Sequence, residues 1–535
     1  MAIAITDEHQ ELARVARSLL QANDALGASR ELLDAPEEQF PAFWKEIAEL
    51  GWLGLHVPEE YGGQGFGLPE LVVVIEELGH AVAPGPFLPT VLAAAVIGEC
   101  GTAAQRKERL PGLTEGATVA AVGLGGSLDR APDGTIEGSA GLVLGAGLAG
   151  VLLLPVGEDL VLVDRDQDGV QLEARANIDL SRRVARVTCS GVRVSEDRVL
   201  HGARAVALRL GRTLAAAEAS GGAHACTEMA SEYAKVRVQF GRPIGTFQAV
   251  KHHCANMLVA AEQATAMAWD AARAKERDQA ELASAMAAAL ALPAFVQCAE
   301  LNVQVHGGIG FTWEHDAHLY LRRANALLAL FGPAERAQEE VVRLVEAGTH
   351  RVAALELPPE AEEMRAEVRE FVQHYKALPE DQKRKALSDS GYLMPHWPKP
   401  WGREASAVEQ IVIDQEFEGV PRTNLGISGW NTLTIAQHGT PEQVERFVRP
   451  SMEGDIEFCQ LFSEPNAGSD AAAVQTRGVK VDGGWLVSGQ KVWTSGAQHC
   501  NRGFATVRTD PAAAKHAGIS MMVIDMKAAG VEVRP

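Results

Sequence analysis

Two parts of this sequence resemble one another at a spacing of about 340 residues, and this repeat limits the possible folds more than any other feature. The segment GWLGLHVPEEYGG begins at Gly51, and GYLMPHWPKPWGR begins at Gly391, 340 positions later. TEGATVAAVGLGG (Thr114–Gly126) is likewise matched by MEGDIEFCQLFSE (Met452–Glu464). Because self-similarity at a fixed spacing marks repeated structural units, we predict a tandem duplication.

Each copy begins with helical periodicity and then changes to short apolar runs that are typical of strands. Apolar residues recur at helical spacing in ELARVARSLL and ELVVVIEELG, whereas TVAAVGL, DLVLVD and RVARVTC are separated by Gly, Asp and Pro. An alanine-rich helical region follows the strands of the first copy only, so we interpret the second copy as truncated. The predicted domains are residues 1–115 (helical), 116–203 (β) and 204–350 (helical), followed by 356–455 (helical) and 456–535 (β).

The composition argues against several classes of protein. There are 49 Lys and Arg residues and 70 Asp and Glu residues, and the net charge of −21 argues against a general nucleic-acid binder. The seven cysteines are dispersed without a C-x-x-C pair, which fits a reducing compartment and predicts a cytoplasmic location. No secretory signal peptide is recognisable at the N-terminus. His315 and His318 lie near two acidic residues, but no second cluster supports them, and we predict no metal site.

The uncharged stretch GSAGLVLGAGLAGVLLLPVG (Gly138–Gly157) resembles both a transmembrane helix and a dinucleotide-binding segment, and we predict neither. It is long enough for a transmembrane helix, but its glycines, Pro155 and the lack of basic or aromatic flanks argue against membrane insertion. It also contains GAGLAG (Gly145–Gly150), a formal dinucleotide-binding motif. The next strand-like run follows too soon for the crossover helix that such a fold requires. We predict instead a buried antiparallel hairpin.

Two segments of the second copy carry side chains that suit a flat heteroaromatic ligand. CQLFSEPNAGSD (Cys459–Asp470) predicts a strand that ends in a turn exposing hydroxyls and backbone N–H groups. GWLVSGQKVWTSGA (Gly484–Ala497) predicts a strand that presents the Trp493 indole beside the hydroxyls of Thr494 and Ser495. An aromatic face with short donors suits a flavin, and a core position for Trp493 is the alternative.

Two segments of the first copy suit a diphosphate. In RVQFGRPIGTFQAVKH (Arg237–His252) an arginine at a helix end precedes a glycine-bearing loop that leads into the next helix. In QVHGGIGFTWEHD (Gln304–Asp316) the pair Gly307–Gly308 would let the backbone approach a ligand closely.

Together these four segments, with the α–β–α order, resemble the acyl-CoA dehydrogenase family over nearly the whole chain. The second copy is most similar to fused tandem members associated with bacterial steroid side-chain degradation. The resemblance implies an α+β multidomain fold with an N-terminal helical domain, a central antiparallel β-domain and a C-terminal four-helix bundle. It also implies FAD as cofactor and a glutamate that removes the α-proton of an acyl-CoA while the β-hydride moves to flavin N5.

The resemblance assigns roles to individual residues of this sequence. The flavin ring would be lined in the second copy by Gln460, Leu461, Phe462, Ser463, Trp493 and Ser495, with Ser469 near both the flavin and the CoA moiety. The adenosine diphosphate end would be held in the first copy by Arg237, Phe240, Gln248, Gln304 and Gly308. Arg212 would contact the substrate. We therefore expect one FAD for each two-copy chain.

The first copy departs from the family pattern at its ring-binding and catalytic positions. Gly125, Gly126 and Ser127 stand where the second copy has Ser463, Glu464 and Pro465, and Val143 and Gly145 replace Trp493 and Ser495. The two positions at which family members carry the catalytic glutamate hold Phe331 and Gly211. Glu218 could serve as a base or as a helix-packing carboxylate. We expect the catalytic glutamate of the second copy beyond Pro535.

The predicted function is therefore the dehydrogenation of an acyl-CoA, with a steroid-type acyl group suggested by the sub-family. The expected partners are an acyl-CoA substrate, an electron-transfer flavoprotein that accepts the electrons, and a second copy of the chain in a homo-oligomer, a dimer of two-copy chains. Two alternatives stay open. One is an acyl-CoA oxidase or nitroalkane-oxidase-like enzyme, which would produce peroxide. The other is a non-catalytic assembly subunit that completes a partner's FAD site and is colourless alone.

Overall fold

The computed structural model describes residues 5–351 and 357–534, and these two ranges form two compact units. The predicted domain boundary at residue 356 lies outside the described residues, as do residues 1–4 and 535. We call residues 5–351 the first unit and residues 357–534 the second unit.

The first unit begins with helices, as its amphipathic periodicity predicts. Thr6 and Thr102 accept hydrogen bonds from backbone N–H groups at the N-termini of two of these helices and so satisfy donors that lack partners within the helix. Another helix, α4, is buried along much of its length, which explains its continuous apolar run. The helices are α1 (Asp7–Ala22), α2 (Ala25–Glu31), α3 (Trp44–Glu49), α4 (Leu68–His80), α5 (Phe87–Cys100) and α6 (Ala103–Thr114).

The strands of the first unit follow and form two four-stranded sheets within residues 5–351. One sheet has the order β1-β4-β5-β8 and the other β2-β3-β7-β6. Neighbouring strands are antiparallel except β1 and β4, which are parallel, a difference from the expected antiparallel domain. The strands are β1 (Ala120–Val122), β2 (Ser127–Arg130), β3 (Thr135–Leu144), β4 (Val151–Val156), β5 (Asp159–Asp164), β6 (Val170–Arg175), β7 (Val184–Arg193) and β8 (Val199–Leu200).

The glycine-rich stretch 138–157 is not the predicted hairpin, because its two strands belong to different sheets. Strand β3 pairs with β2 and β7, while β4 pairs with β1 and β5. The GAGLAG segment is the connection that crosses between the sheets. Strand β4 is buried on both faces, since Leu153 packs into the helical core and Leu152 into the core between the sheets. Burial on both faces accounts for the membrane-like composition of this stretch.

The first unit ends in the expected helical bundle. Its alanines let α7, α8 and α9 pack closely against one another. Within the described residues α9 is the helix long and apolar enough to cross a membrane by length and composition, and most of its apolar stretch is buried in the unit. The helices are α7 (Ala203–Val236), α8 (Gln248–Arg273), α9 (Arg277–His306), α10 (Ala317–Phe331) and α11 (Ala334–Glu346), and the short strands β9 (Val238–Gln239) and β10 (Arg242–Pro243) follow α7.

The second unit repeats the helical-then-β order. Strand β11 lies parallel to β14, as β1 lies parallel to β4, and β14 continues antiparallel to β15. The helices are α12 (Glu360–Ala377), α13 (Glu380–Ser390), α14 (Ala407–Glu416), α15 (Ile427–His438) and α16 (Pro441–Glu453). The strands are β11 (Phe458–Leu461), β12 (Arg477–Val481), β13 (Gly484–Ser488), β14 (Arg502–Arg508) and β15 (Ile519–Asp525).

Helix capping gives structural support to the repeat. Thr102 forms a reciprocal capping box with Gln105 at the start of α6, and Thr440 forms the same box with Gln443 at the start of α16, 338 positions later. Because capping depends on one residue at one backbone position, a shared box indicates that the two helices begin at equivalent places.

Candidate functional site

The two ring-binding segments predicted for the second unit lie side by side. The Val492 backbone N–H donates a hydrogen bond of 2.9 Å to the Ser463 carbonyl. This bond aligns the end of β11 with the segment that precedes Trp493. The structure therefore brings Gln460, Leu461, Phe462 and Ser463 together with Trp493 and Ser495, which are distant in sequence.

A buried ion pair fastens these segments to the sheet. Lys491 Nζ lies 2.8 Å from a carboxylate oxygen of Glu464 and donates to the carbonyls of Phe462 and Thr506 at 3.1 and 2.8 Å. Glu464 also accepts from the backbone N–H groups of Gln475 and Thr476 at 2.6 and 2.9 Å. We call Glu464 and Lys491 the site ion pair.

Hydrogen bonding controls the protonation of the site ion pair. Glu464 is only 5% exposed, and burial alone would raise the pKa of its carboxyl. The hydrogen bonds from Lys491, Thr476 and Gln475 outweigh burial and lower that pKa to about 2. Burial also lowers the pKa of Lys491, against the pull of Glu464. The carboxylate is therefore ionised at neutral pH and cannot serve as a proton donor there.

Trp493 does not lie on a strand, contrary to the sequence prediction. Strand β13 ends at Ser488, and residues 489–494 are irregular. Trp493 has a backbone φ of 57°, in the left-handed region that disfavours residues with a Cβ. Its side chain is 85% exposed, so the alternative of a core tryptophan is wrong. An exposed indole held in a strained backbone points to a ligand-contacting role.

The remaining predicted residues of this segment are accessible. Phe462 is 37% exposed, and Ser469 and Ser495 are also exposed. The turn after β11 is held by backbone hydrogen bonds between Glu464 and Ala467. The predicted turn is confirmed, and it presents Ser469 to solvent.

The predicted diphosphate residues of the first unit gather at one end of its helical bundle. Arg237 is the C-terminal cap of α7, and Gln248 is the first residue of α8. The Tyr233 ring stacks on His306 with centroids 4.3 Å apart, which places the C-terminus of α7 beside that of α9. Every one of the predicted residues there is exposed: Arg237, Phe240, Gln248, Gln304 and Gly308.

The loops at this end of the bundle leave their backbone open to close approach by a ligand. Phe240 is 92% exposed and has a φ of 53°. Gly307 adopts φ 63° and ψ −134°, which essentially only glycine tolerates. A Cβ at Gly308 would meet no atom within 4 Å, so open space lies beside this backbone. Burial lowers the pKa of His306, so the cation available to an anion here is Arg237 rather than this histidine.

The first unit lacks the site ion pair and replaces it with a glycine contact. Gly126 and Gly141 occupy the positions of Glu464 and Lys491. A Cβ on Gly126 would lie 2.8 Å from the Gly141 nitrogen and 2.3 Å from the Ser139 carbonyl oxygen. The two backbone segments therefore close directly on one another where the second unit holds two charged side chains.

Gly211 and Phe331 stand at the two first-unit positions where the family resemblance leads us to expect a catalytic glutamate, and they lie against one another. A Cβ on Gly211 would lie 2.7 Å from a ring carbon of Phe331, whose side chain is buried. The aromatic ring therefore occupies the space that a side chain at position 211 would need. Within residues 5–351, neither position presents a carboxylate.

Glu218 and Arg212 each form an ion pair within the first unit. Glu218 is buried, pairs with both terminal nitrogens of Arg182 at 2.9 and 2.6 Å, and accepts from Arg323 at 2.7 Å. This geometry favours the helix-packing interpretation over that of a base. Arg212 is buried and ion-paired with Glu340, so its assignment to substrate stays a prediction.

The sequence motifs alone assigned no role to the site ion pair. A signal was present, because Glu464 and Lys491 each stand one or two residues from an assigned ring-binding position in otherwise uncharged runs. What the sequence does not show is that β14 brings them together. Among residues 5–351 and 357–534, no group of three His, Cys, Asp or Glu side chains is arranged to hold a metal.

Comparison with known families matches most of this chain to one description. The acyl-CoA dehydrogenase N-terminal domain matches residues 6–117 and again 340–455. The C-terminal domain of the same family matches residues 202–345, and its middle domain matches residues 459–535. The double match of the N-terminal domain agrees with the predicted duplication.

Individual relatives extend this result. The chain is 42% identical over 549 residues to acyl-CoA dehydrogenase FadE34 of Mycobacterium tuberculosis, with coverage of 100% of this chain and 76% of the relative. It is 33% identical to acyl-CoA dehydrogenase IpdE2 of Mycolicibacterium smegmatis, over 62% of this chain and 96% of that protein.

Solved structures match in fold. The ChsE4-ChsE5 complex from Mycobacterium tuberculosis aligns with a TM-score of 0.60 and 27% identity, over 65% of this chain and 100% of that one. The steroid ACAD Tcur3481-Tcur3483 aligns with a TM-score of 0.59 and 28% identity, over 64% of this chain and 98% of the other.

Proposed function

The chain belongs to the acyl-CoA dehydrogenase family, and we propose that it takes part in the FAD-dependent α,β-dehydrogenation of an acyl-CoA thioester. The observation that carries this proposal is the juxtaposition of residues 460–463 with Trp493 and Ser495, fixed by the Val492-to-Ser463 hydrogen bond. An exposed indole, an exposed phenyl ring and hydroxyl donors on one surface fit the flat, polar-edged ring of a flavin.

When bound, FAD supplies a hydride acceptor, and the residues of the second unit would hold its ring system. Trp493 would pack on the ring, and Ser463 and Ser495 would hydrogen-bond its polar edge. The site ion pair keeps both segments in register, because Lys491 binds the Phe462 carbonyl while Glu464 binds the strand that follows. Ser469, on the turn after β11, would lie near the flavin and the CoA moiety.

The diphosphate end would be bound by the group at the end of the helical bundle. Arg237 supplies the cation, Gln248 and Gln304 supply amides, and Gly308 lets the backbone approach. Phe240, which is almost fully exposed, would cover the adenosine part. Since the first unit has lost the ring-binding side chains, the proposal gives one FAD for each chain.

The proposal places no proton abstraction on the first unit. Its two candidate positions hold Phe331 and Gly211, and Glu218 is held by two arginines. The first unit is therefore proposed to bind ligand without performing chemistry.

A steroid-type acyl-CoA is the proposed substrate class, supported by the similarity in fold to the steroid ACAD Tcur3481-Tcur3483 and by the FadE34 relative. An electron-transfer flavoprotein is the proposed electron acceptor. A homo-oligomer is the proposed assembly, and the ChsE4-ChsE5 neighbour is itself a complex. A cytoplasmic location stays a prediction.

The test is flavin quantification and anaerobic reduction of the purified chain. We expect about one FAD per chain and no bleaching by acyl-CoA alone, because the proposal assigns no catalytic glutamate among the described residues. The Trp493→Ala variant should bind FAD about fivefold more weakly, because ring stacking contributes about 1 kcal/mol. Trp485→Ala, a half-exposed tryptophan on β13, is the matched control and should keep full affinity.

Each other result would change the proposal in a defined way. Two FAD per chain would show that the first unit also binds flavin and would refute the stoichiometry. Peroxide formation in air would favour the oxidase alternative. A colourless chain that binds a flavin-containing partner would favour the assembly-subunit alternative.

A further inference from the structure

The predicted diphosphate-binding segment of the first unit continues past Gly308 into a turn, residues 309–316, that joins α9 to α10. Phe311 on this turn is 88% exposed and lies close in sequence to the open space beside Gly308. The ring of His315 lies 4.3 Å from that of His306, measured between centroids. The turn therefore rests against the C-terminal end of α9, where the predicted ligand-binding residues gather. We call residues 309–316 the bundle-end turn.

Arg30, at the end of α2, binds the bundle-end turn through three different acceptors. Its two terminal nitrogens donate to the carbonyls of Trp313 and Glu314 at 2.8 and 3.3 Å. Its Nε donates to the carboxylate of Asp316 at 3.1 Å, and Nη2 contacts the same carboxylate. The planar guanidinium thus fixes two carbonyls and one side chain at once, which the compact ammonium of a lysine would not do.

Helix α2 is itself held firmly, so Arg30 is a fixed support. The hydroxyl of Ser29, which is fully buried, donates to the Val82 carbonyl at 2.6 Å. At the other end of α2, the carboxylate of Asp24 accepts from the Gly27 backbone N–H at 3.2 Å. The bonds between Arg30 and the turn therefore join the N-terminal helical region to the end of the bundle.

The same contacts balance a charge beside the predicted diphosphate site. Asp316 carries a negative charge on the bundle-end turn, and an unpaired carboxylate there would repel an anionic ligand. Arg30 forms an ion pair with Asp316 and supplies the opposite charge. Glu314, the other acid of this turn, is exposed to solvent, where salt and water screen its charge.

We propose that Arg30 is a positioning residue for the adenosine diphosphate end of FAD. It holds the bundle-end turn in the shape that leaves Gly308 and Phe311 open, and it cancels the charge of Asp316. This assignment rests on the proposed function, because it requires FAD to reach the end of the bundle. Arg30 itself lies outside the four sequence segments that suggested the site.

The test is calorimetric titration of the flavin-free whole chain with FAD and, separately, with adenosine diphosphate (ADP), which lacks the flavin. In Arg30→Gln the affinity for both ligands should fall about tenfold, because hydrogen bonds from a charged group are lost together with the neutralisation of Asp316. Arg30→Lys keeps the charge without the planar fork and should lose less affinity. Trp493→Ala should weaken FAD but leave ADP unchanged.

Arg130→Gln is the matched control. Arg130 also binds a carboxylate and a carbonyl, those of Glu196 and Val194, at 2.9 and 3.3 Å, but it does so in the β region of the first unit. This variant should bind FAD and ADP as the unchanged chain does. An equal loss of affinity in Arg130→Gln and Arg30→Gln would overturn the proposal.

Ionic strength distinguishes this role from a purely structural one. In Arg30→Gln the uncompensated Asp316 repels the diphosphate, so the loss of FAD affinity should shrink as salt rises from about 0.02 M to about 0.5 M. Arg30→Gln/Asp316→Asn should regain part of the affinity at low salt, because the unpaired charge is gone. A loss that salt does not change and that Asp316→Asn does not relieve would overturn the charge-balancing role.

Failure of this inference is separable from failure of the proposed function. FAD bound equally tightly by Arg30→Gln and by the unchanged chain would refute the role of Arg30 and leave the proposed function standing. ADP binding that Arg30→Gln weakens, in a chain whose FAD affinity is unaffected by Trp493→Ala, would support Arg30 and refute the proposed flavin-ring site. A chain that binds neither FAD nor ADP would overturn both.

Discussion

Removing the carboxylate of the site ion pair should loosen the ring-binding segment of the second unit. The pKa of Glu464 is about 2 in the folded chain, against an ordinary value of 4.5. This difference corresponds to about 3 kcal/mol of stabilisation at neutral pH. Glu464→Gln removes the charge and leaves Lys491, whose side chain is 9% exposed, without its counter-ion.

Hydrogen exchange of the backbone amides is the direct assay. Gln475 and Thr476 donate to the Glu464 carboxylate, so their amides report its loss. A change of about 3 kcal/mol speeds exchange on the order of a hundredfold when opening is rapid and reversible. Peptides of β4 and β5 in the first unit are the internal control and should exchange at an unchanged rate.

The stabilisation contributed by Glu464 should change with pH in a direction that its lowered pKa determines. Because the folded pKa is lowered, the contribution of Glu464 is present above about pH 4.5 and is lost as the pH falls toward 2. The difference between Glu464→Gln and the unchanged chain should therefore shrink below pH 4.5. In Glu464→Gln/Lys491→Met part of the loss should be recovered, since no unpaired charge remains. Exchange altered less than threefold, or losses that simply add in the double variant, would refute the reasoning.

Three further predictions concern strained or buried side chains. Trp493→Gly should be about 1 kcal/mol more stable to urea than Trp493→Ala, since only glycine accepts φ 57° freely; equal stabilities would argue against backbone strain. Glu218→Gln should lower the free energy of unfolding by about 3–5 kcal/mol, because Arg182 and Arg323 lose the negative charge that they share. An unchanged melting temperature in a thermal scan would contradict this. Burial raises the pKa of Glu76 to about 8, so the free energy of unfolding should fall as the pH rises from 4.5 to 8. In urea titrations, Glu76→Gln should make the free energy of unfolding less dependent on pH over this range.

The fold could be predicted from the sequence where local patterns decide it. The helical and β regions are confirmed because periodicity and capping residues such as Thr102 and Thr440 act over a few positions. The pairing of strands is different, because it depends on partners distant in sequence. The strands of residues 138–157 look like a hairpin, yet they join separate sheets.

The residues of the candidate site stay a prediction from the sequence, whereas the contacts that support them could not be predicted from it. Trp493 and Ser463 could be assigned from their motifs, whereas the left-handed backbone at Trp493 carries no signal in a non-glycine residue. The bond between Lys491 and Glu464 depends on β14 bringing the Thr506 carbonyl beside both segments. Likewise, Glu218 is recognised as structural only once Arg182 and Arg323 are seen to enclose it.

The glycine contact in the first unit makes an ion pair like that of the second unit hard to build by single substitutions. Restoring a glutamate at Gly126 alone would drive its Cβ into the Ser139 carbonyl and the Gly141 amide. A lysine at Gly141 alone would meet a backbone with a φ of 75° and would find no acid to receive it. Each of these two substitutions is thus unfavourable unless the other is already present. The close approach of the two backbone segments thus opposes the single substitutions that would rebuild the ion pair.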